Sequence, residues 1–137
     1  MSLKSWIKEF YPIPAHKVTK KNAIDACILK WRGLSKASLE RHGMHQESYI
    51  IVGDTRADQW YANEKSCALC RFYLEDHCKL CPLAIVRKDT PCDMPMKNES
   101  LSPWYAYISL GDTKPMLLWL REAKKQEVKC GRTMQSL

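Results

Sequence analysis

Two Cys-x-x-Cys pairs, Cys67/Cys70 and Cys78/Cys81, are separated by seven residues, and Cys92 follows eleven residues after the second pair. A two-residue gap on a tight turn lets both sulfurs of a pair reach one ion. Two such pairs complete a tetrahedron of thiolates around zinc at about 2.3 Å. The intervening residues 71–77 are enough to turn the chain once and bring the second pair back. A closed four-sulfur site contributes to folding and leaves no coordination position for a reacting water. The candidate ligands are Cys67, Cys70, Cys78, Cys81 and Cys92, five thiols for four places. Cys92 can replace Cys78, and His77 can add a nitrogen, so the set stays open. An iron–sulfur cluster is the alternative cofactor. It also uses four thiolates, and CKLCP ends in Cys-Pro, but the compact C-x2-C-x2-C run of many cluster proteins is missing. Zinc is the first expectation.

The setting of these thiols supports metal over disulfide. A chain of 137 residues makes one domain that buries roughly two thirds of its unfolded surface, so the cysteines are not needed as staples. The start, MSLKSWIKEFYPIP, lacks an apolar stretch of signal-peptide length. No run approaches the roughly 20 apolar residues of a membrane span. The longest, Met116–Leu120, is core-sized. Seven cysteines, an odd number, without an export signal fit a reducing, cytoplasmic compartment.

The net charge of +7 is uneven: residues 1–41 carry +6, residues 42–66 carry −2, residues 67–101 are neutral and residues 102–137 carry +3. A nucleic-acid partner would therefore meet the helical ends and not the cysteine segment. The candidate contacts are Lys20, Lys21, Lys30, Arg32, Lys36 and Arg41. Solvated helix faces explain the same charges.

Periodicity places the elements. Lys4–Phe10 reads as a short helix stopped by YPIP. Ile24, Cys27, Ile28 and Trp31 share one face of a helix from about Asn22 to Arg32, which makes Cys27 a core side chain outside the ligand set. Gly33 ends it, Ser35 caps a second helix over Lys36–His42, and Gly43 closes that one. Tyr49–Val52 and Gln59–Ala62 read as a hairpin. Ser102-Pro103 opens a helix that Gly111 ends. Asp112 caps the last helix, Thr113 to about Val128, with Met116, Leu117, Leu120 and Ala123 buried. The tail after it reads as frayed, with Cys130 a free thiol.

Two other patterns occur in the sequence. His45-Gln46-Glu47 followed by Cys67 and Cys70 partly matches the H-x-E…P-C-x-x-C signature of zinc deaminases. Ser66 stands where that signature has Pro, the residues after Glu47 read as a strand instead of a helix start, and Cys78 and Cys81 would have no role. An enzyme therefore ranks below a binding protein, and His45 and Glu47 read as loop residues. Trp31–Gly43 resembles the middle of a helix-turn-helix, with Lys36, Ala37 and Arg41 facing a groove. Arg32 falls where an apolar residue usually packs, so a capped helical hairpin is preferred.

The five-cysteine pattern, preceded by AIDACILKWRGL and LERHGM, resembles small cysteine-rich proteins of phage and prophage genomes over roughly Asn22–Cys92. The resemblance implies that Cys92 belongs with the other four. It also implies a bacterial cytoplasmic setting and an accessory role on host or phage components. Cys27 and Cys130 fall outside the pattern.

The expectation is thus one small α+β domain of several helices, a short β-hairpin and a cysteine-rich zinc module. Residues 1–43 are helical, 44–66 a hairpin, 67–92 the metal-binding segment, 93–130 the C-terminal helices and 131–137 a tail. The segment 67–92, with little apolar periodicity of its own, would be pinned by its metal. The expected partner is nucleic acid or a host protein, with no membrane involved.

Overall fold

An indole nitrogen fixes the first helix crossing. The computed structural model describes residues 2–55, 57–76 and 78–135, with residue 76 and residues 128–135 by backbone alone. Trp6, on α1 (Leu3–Phe10), donates from Nε1 to the Gly33 carbonyl at 2.7 Å, at the end of α2 (Ala23–Gly33). Phe10, one turn further along α1, lies directly on Gly33: a Cβ there would come within 2.2 Å of Phe10 Cγ. Gly33 does end α2, but the following Leu34 keeps right-handed helical dihedrals. The glycine is required by the close approach of α1 and not by a left-handed cap.

The caps of the next elements follow their sequence signals. Ser35 accepts from Ser38 N–H and opens α3 (Lys36–Arg41), and Gly43, at φ +69°, follows its end. Ser102 accepts from Tyr105 N–H and opens α6 (Pro103–Leu110), closed by left-handed Gly111. His42 ties α3 to α1, meeting Ser5 Oγ at 2.8 Å and Glu9 Oε1 at 3.1 Å.

The expected hairpin is the outer part of a three-stranded antiparallel meander of order β1-β2-β3. Strand β2 (Ile50–Val52) pairs with β3 (Gln59–Tyr61) in the register Ile51↔Trp60. Strand β1 (His45–Glu47) pairs with β2 in the register Gln46↔Ile51. His45 and Glu47 are therefore strand residues, not loop. The turn between β1 and β2 needs Ser48 at φ +59°, a conformation that sequence seldom signals outside Gly, Asn and Asp.

The segment 67–92 departs most from expectation. It contains α4 (Ala68–Tyr73), a turn of 3₁₀ helix over Leu74–Asp76, and α5 (Pro82–Val86). Ala68, Leu69, Leu83 and Ala84 are buried. α4 packs on α2, and α5 packs on α7 (Lys114–Gln135). These helices are too short to show a periodic stripe, so the apolar pairs that anchor them are visible only in the packed chain. α7 begins one residue later than expected, with Asp112 Oδ1 accepting from Lys114 N–H, and continues to Gln135 instead of fraying near Val128. Gly131 is carried within the helix, at about 1 kcal/mol relative to alanine.

These elements form a small α+β domain, with seven α-helices and the sheet among the described residues. Helix α2 lies at the centre, against α1, α4 and α7. Trp31 of α2 meets Tyr107 of α6 edge-on at 4.9 Å, and Asp25 of α2 pairs with Lys124 of α7 at 3.0 Å.

Gly33→Ala tests the α1–α2 contact. Overpacking at this crossing should cost about 1–3 kcal/mol, a fall in Tm of roughly 3–10 °C by thermal denaturation. An unchanged Tm would show that Phe10 can step aside.

Candidate metal centre

Each cysteine of the central segment is placed by a backbone feature. Cys67 is the N-cap of α4, and its Sγ accepts from Cys70 N–H at 3.3 Å. The i, i+3 spacing thus folds the first pair around one helix start. Cys78 sits at φ +64°, in the left-handed region that favours glycine, and its N–H donates to Tyr73 O at 3.0 Å. A β-carbon there costs about 1–2 kcal/mol. Cys81 is the N-cap residue of α5, followed by Pro82 at the first helical position. The Cys92 carbonyl accepts from Trp104 N–H at 3.0 Å, which ties its loop to α6.

Cys67, Cys70, Cys78 and Cys92 line one cavity of about 360 Å³. Cys81 is buried just outside that lining, within electrostatic reach of Cys67 and Cys78. Leu69, Leu83, Trp31 and Trp104 form the apolar wall. Among the described residues, no three His, Cys, Asp or Glu side chains form a group that could hold a metal ion. A preformed zinc tetrahedron is therefore not seen. His77 lies outside the described residues, as does the Cys130 side chain.

Two side chains of α2 join the cysteines. Cys27 is 2% exposed, as a core residue should be, but it also lines the cavity, within electrostatic reach of Cys67. Lys30, three residues on, lines the same cavity and is 3% exposed. Its ammonium donates to Ser66 O at 3.3 Å and lies 5.4 Å from the centre of the Trp31 ring. Lys30 is therefore removed from the expected nucleic-acid surface.

The thiols differ in charge. Hydrogen bonds from the Cys27 thiol, then from Cys70, hold Cys67 well below the ordinary thiol range, helped by the Lys30 ammonium. The same contacts push Cys27 and Cys70 up, with burial adding to the effect. Burial also raises Cys78 and Cys92, and it pushes Cys81 up to about 11. Cys67 is thus the most acidic thiol of the group, in the field of a buried cation.

A second buried cation shapes the loop that carries Cys92. Arg87, fully buried at the end of α5, donates to the carbonyls of Thr90, Pro91 and Met94 and pairs with Glu99. Glu99 also accepts from Met96 N–H at 2.8 Å and from Trp119 Nε1 at 3.3 Å on α7. One ion pair thereby closes residues 88–99 into a fixed loop. Nothing in the sequence marks Arg87. Cys27 and Lys30 could have been linked by their i, i+3 spacing, which puts both on one helical face.

Of the remaining basic residues, Lys20, Lys21, Arg32 and Lys36 are exposed. Arg41 is exposed too, but a two-pronged pair with Glu9, both contacts at 2.7 Å, occupies its guanidinium. That pairing holds the Glu9 carboxyl below its usual range. His45 and Glu47 meet each other at 3.1 Å on β1. His45 lines a groove with Ile108 and Gly111, away from the cysteine cavity. The deaminase constellation of His45, Cys67 and Cys70 is not assembled.

Glu99→Ala would leave the Arg87 guanidinium buried without its partner. Urea denaturation should show a loss of about 3–5 kcal/mol, and Glu99→Gln, which keeps an acceptor oxygen, should lose less. A loss under about 1 kcal/mol, the range of an exposed pair, would show that the carbonyl contacts alone hold the loop. Compared with protein-family models, with curated proteins and with solved structures, the chain matches none.

Proposed function

We propose that this protein is a small accessory binding protein that holds a thiolate-ligated metal cofactor in a structural role. Cys67, Cys70, Cys78, Cys81 and Cys92 are its ligand pool, and nucleic acid is its partner. The observation that carries the reading is the shared cavity: Cys67 and Cys70 from one helix start, with Cys78 and Cys92 from two further stretches of the chain, line one apolar-walled space, with a buried ammonium beside them. Thiols scattered for packing alone have no reason to share a cavity with a lysine. The left-handed Cys78 supports the same view, since a cysteine is kept where glycine would be cheaper.

Between the two cofactors, the arrangement favours an iron–sulfur cluster. In a four-iron cluster each thiolate binds its own iron, so the sulfurs surround a volume. In a zinc site four sulfurs must meet about 2.3 Å from a single point. Several cysteines lining one cavity of about 360 Å³ suit the first. Zinc remains the second reading, supported by the paired Cys-x-x-Cys spacing.

The partner rests on charge. Lys20, Lys21, Arg32 and Lys36 are exposed within the +6 N-terminal region. No helix among the described residues is long and apolar enough to cross a membrane.

Elemental and sulfide analysis of the purified protein tests the cofactor. Iron with acid-labile sulfide and a brown colour is expected; zinc in a colourless protein selects the second reading. Metal removal should make the segment 67–92 susceptible to protease. A metal-free, folded protein indifferent to chelators overturns the proposal. For the partner, gel shifts on DNA and RNA should weaken with added salt, with a slope in log–log form of about −0.7 to −0.9 per phosphate contact. The quadruple variant K20E/K21E/R32E/K36E should lower affinity at least about tenfold and flatten that slope. Equal binding by this variant would remove nucleic acid from the reading.

A further inference from the structure

We infer that Cys27 is a ligand of the cofactor, so that helix α2 supplies the rigid end of a centre otherwise built from the segment 67–92. The inference rests on the metal–thiolate reading above and extends it to a residue outside the five-cysteine pattern.

Three observations carry it. Cys27 faces the same cavity as Cys67, Cys70, Cys78 and Cys92. It lies within electrostatic reach of Cys67, whose Sγ accepts from Cys70 N–H at 3.3 Å, so Cys27 belongs to the same group of thiols as the first pair. Lys30 then places a buried ammonium on the same face of the same helix, and no carboxylate among the described residues pairs with it. A buried cation persists when something anionic faces it, and a thiolate cofactor site is anionic.

The geometry also says why α2 should take part. Cys78 depends on a strained backbone turn and Cys92 on a loop closed by Arg87. Cys27 projects from the middle of an eleven-residue helix packed against α1, α4 and α7. A ligand on such a helix is positioned before the metal arrives. In the binding step the Cys27 S–H bond breaks, its proton leaves to solvent, and the sulfur forms a bond to the metal.

The test compares metal content in the full-length protein and its Cys27→Val and Cys27→Ala variants, each purified and then reconstituted with iron and sulfide or with zinc. Valine keeps an apolar side chain of similar size, so a purely packing role survives the change. The expected result is at least a tenfold drop in metal retained against a chelator in both variants, with the helical circular dichroism signal kept. Wild-type metal content and an unchanged visible spectrum in Cys27→Val overturn this inference alone. A metal-free wild type overturns it together with the reading beneath it. If the variants fail to fold, anomalous diffraction from the wild-type holoprotein decides: a metal bonded to Cys27 Sγ supports the assignment, and a metal bonded only to other sulfurs overturns it.

Discussion

A buried ammonium sharing a cavity with a group of thiols sets the terms for the centre of this molecule. Lys30 lies inside the protein, with a carbonyl oxygen, an indole ring and the cysteine cavity around it. Taking a cation out of water costs several kcal/mol unless an opposite charge compensates. Sulfur stands beside it: Cys67 is held well below the ordinary thiol range, by Cys27 and Cys70 first and with the Lys30 ammonium adding to them. The arrangement couples α2 to α4 through charge as well as through packing. It also means that the cysteine segment is not an appendage to a finished core, since one face of the central helix is completed by it.

The second buried cation works on a different scale. Arg87 does not face the cavity. It gathers three carbonyls and a carboxylate, and through Glu99 it reaches Trp119 of α7. Residues 88–99 have no regular secondary structure, so their backbone acceptors need partners from elsewhere. A guanidinium, with five donors in a fixed fork, can serve several at once. The position of Cys92 is thus set by an ion pair and by the Trp104 amide, whereas Cys67 and Cys81 are set by helix starts.

Local signals were legible in the sequence and tertiary ones were not. Ser35, Gly43, Ser102, Pro103 and Gly111 announce their helix ends because a cap is decided by a few adjacent residues. The β2–β3 hairpin announces itself through β-branched and aromatic runs. Strand β1 does not, because its sequence, His-Gln-Glu, has no β-propensity and exists as a strand through pairing with β2. The cysteine pattern gave the outline of the candidate centre, and helical periodicity placed Cys27 in the core, where it lies, without showing that it also lines the cavity. Lys30 looked like surface because lysine almost always is. The Lys30 reading failed because a helix face was read without knowing what packs on it.

The fold also joins the cysteine cavity to the basic face. Arg71 of α4, one residue after Cys70, donates to the carbonyls of Ala15 at 3.0 Å and Val18 at 2.6 Å. That fixes the segment immediately before Lys20 and Lys21. Lys20 then lies 5.8 Å and 5.5 Å from the ring centres of Phe72 and Tyr73 on the same helix. Helix α4 has six residues and begins on a cysteine cap. Isolated helices this short are not stable in water, so α4 depends on its packing against α2 and on whatever holds Cys67 and Cys70. Any cofactor that fixes those two sulfurs would therefore also fix Arg71, the chain before Lys20, and the rings on which Lys20 rests. A structural metal can in this way govern a charged surface it never touches, because a single helix turn carries the ligands on one side and the anchors of that surface on the other.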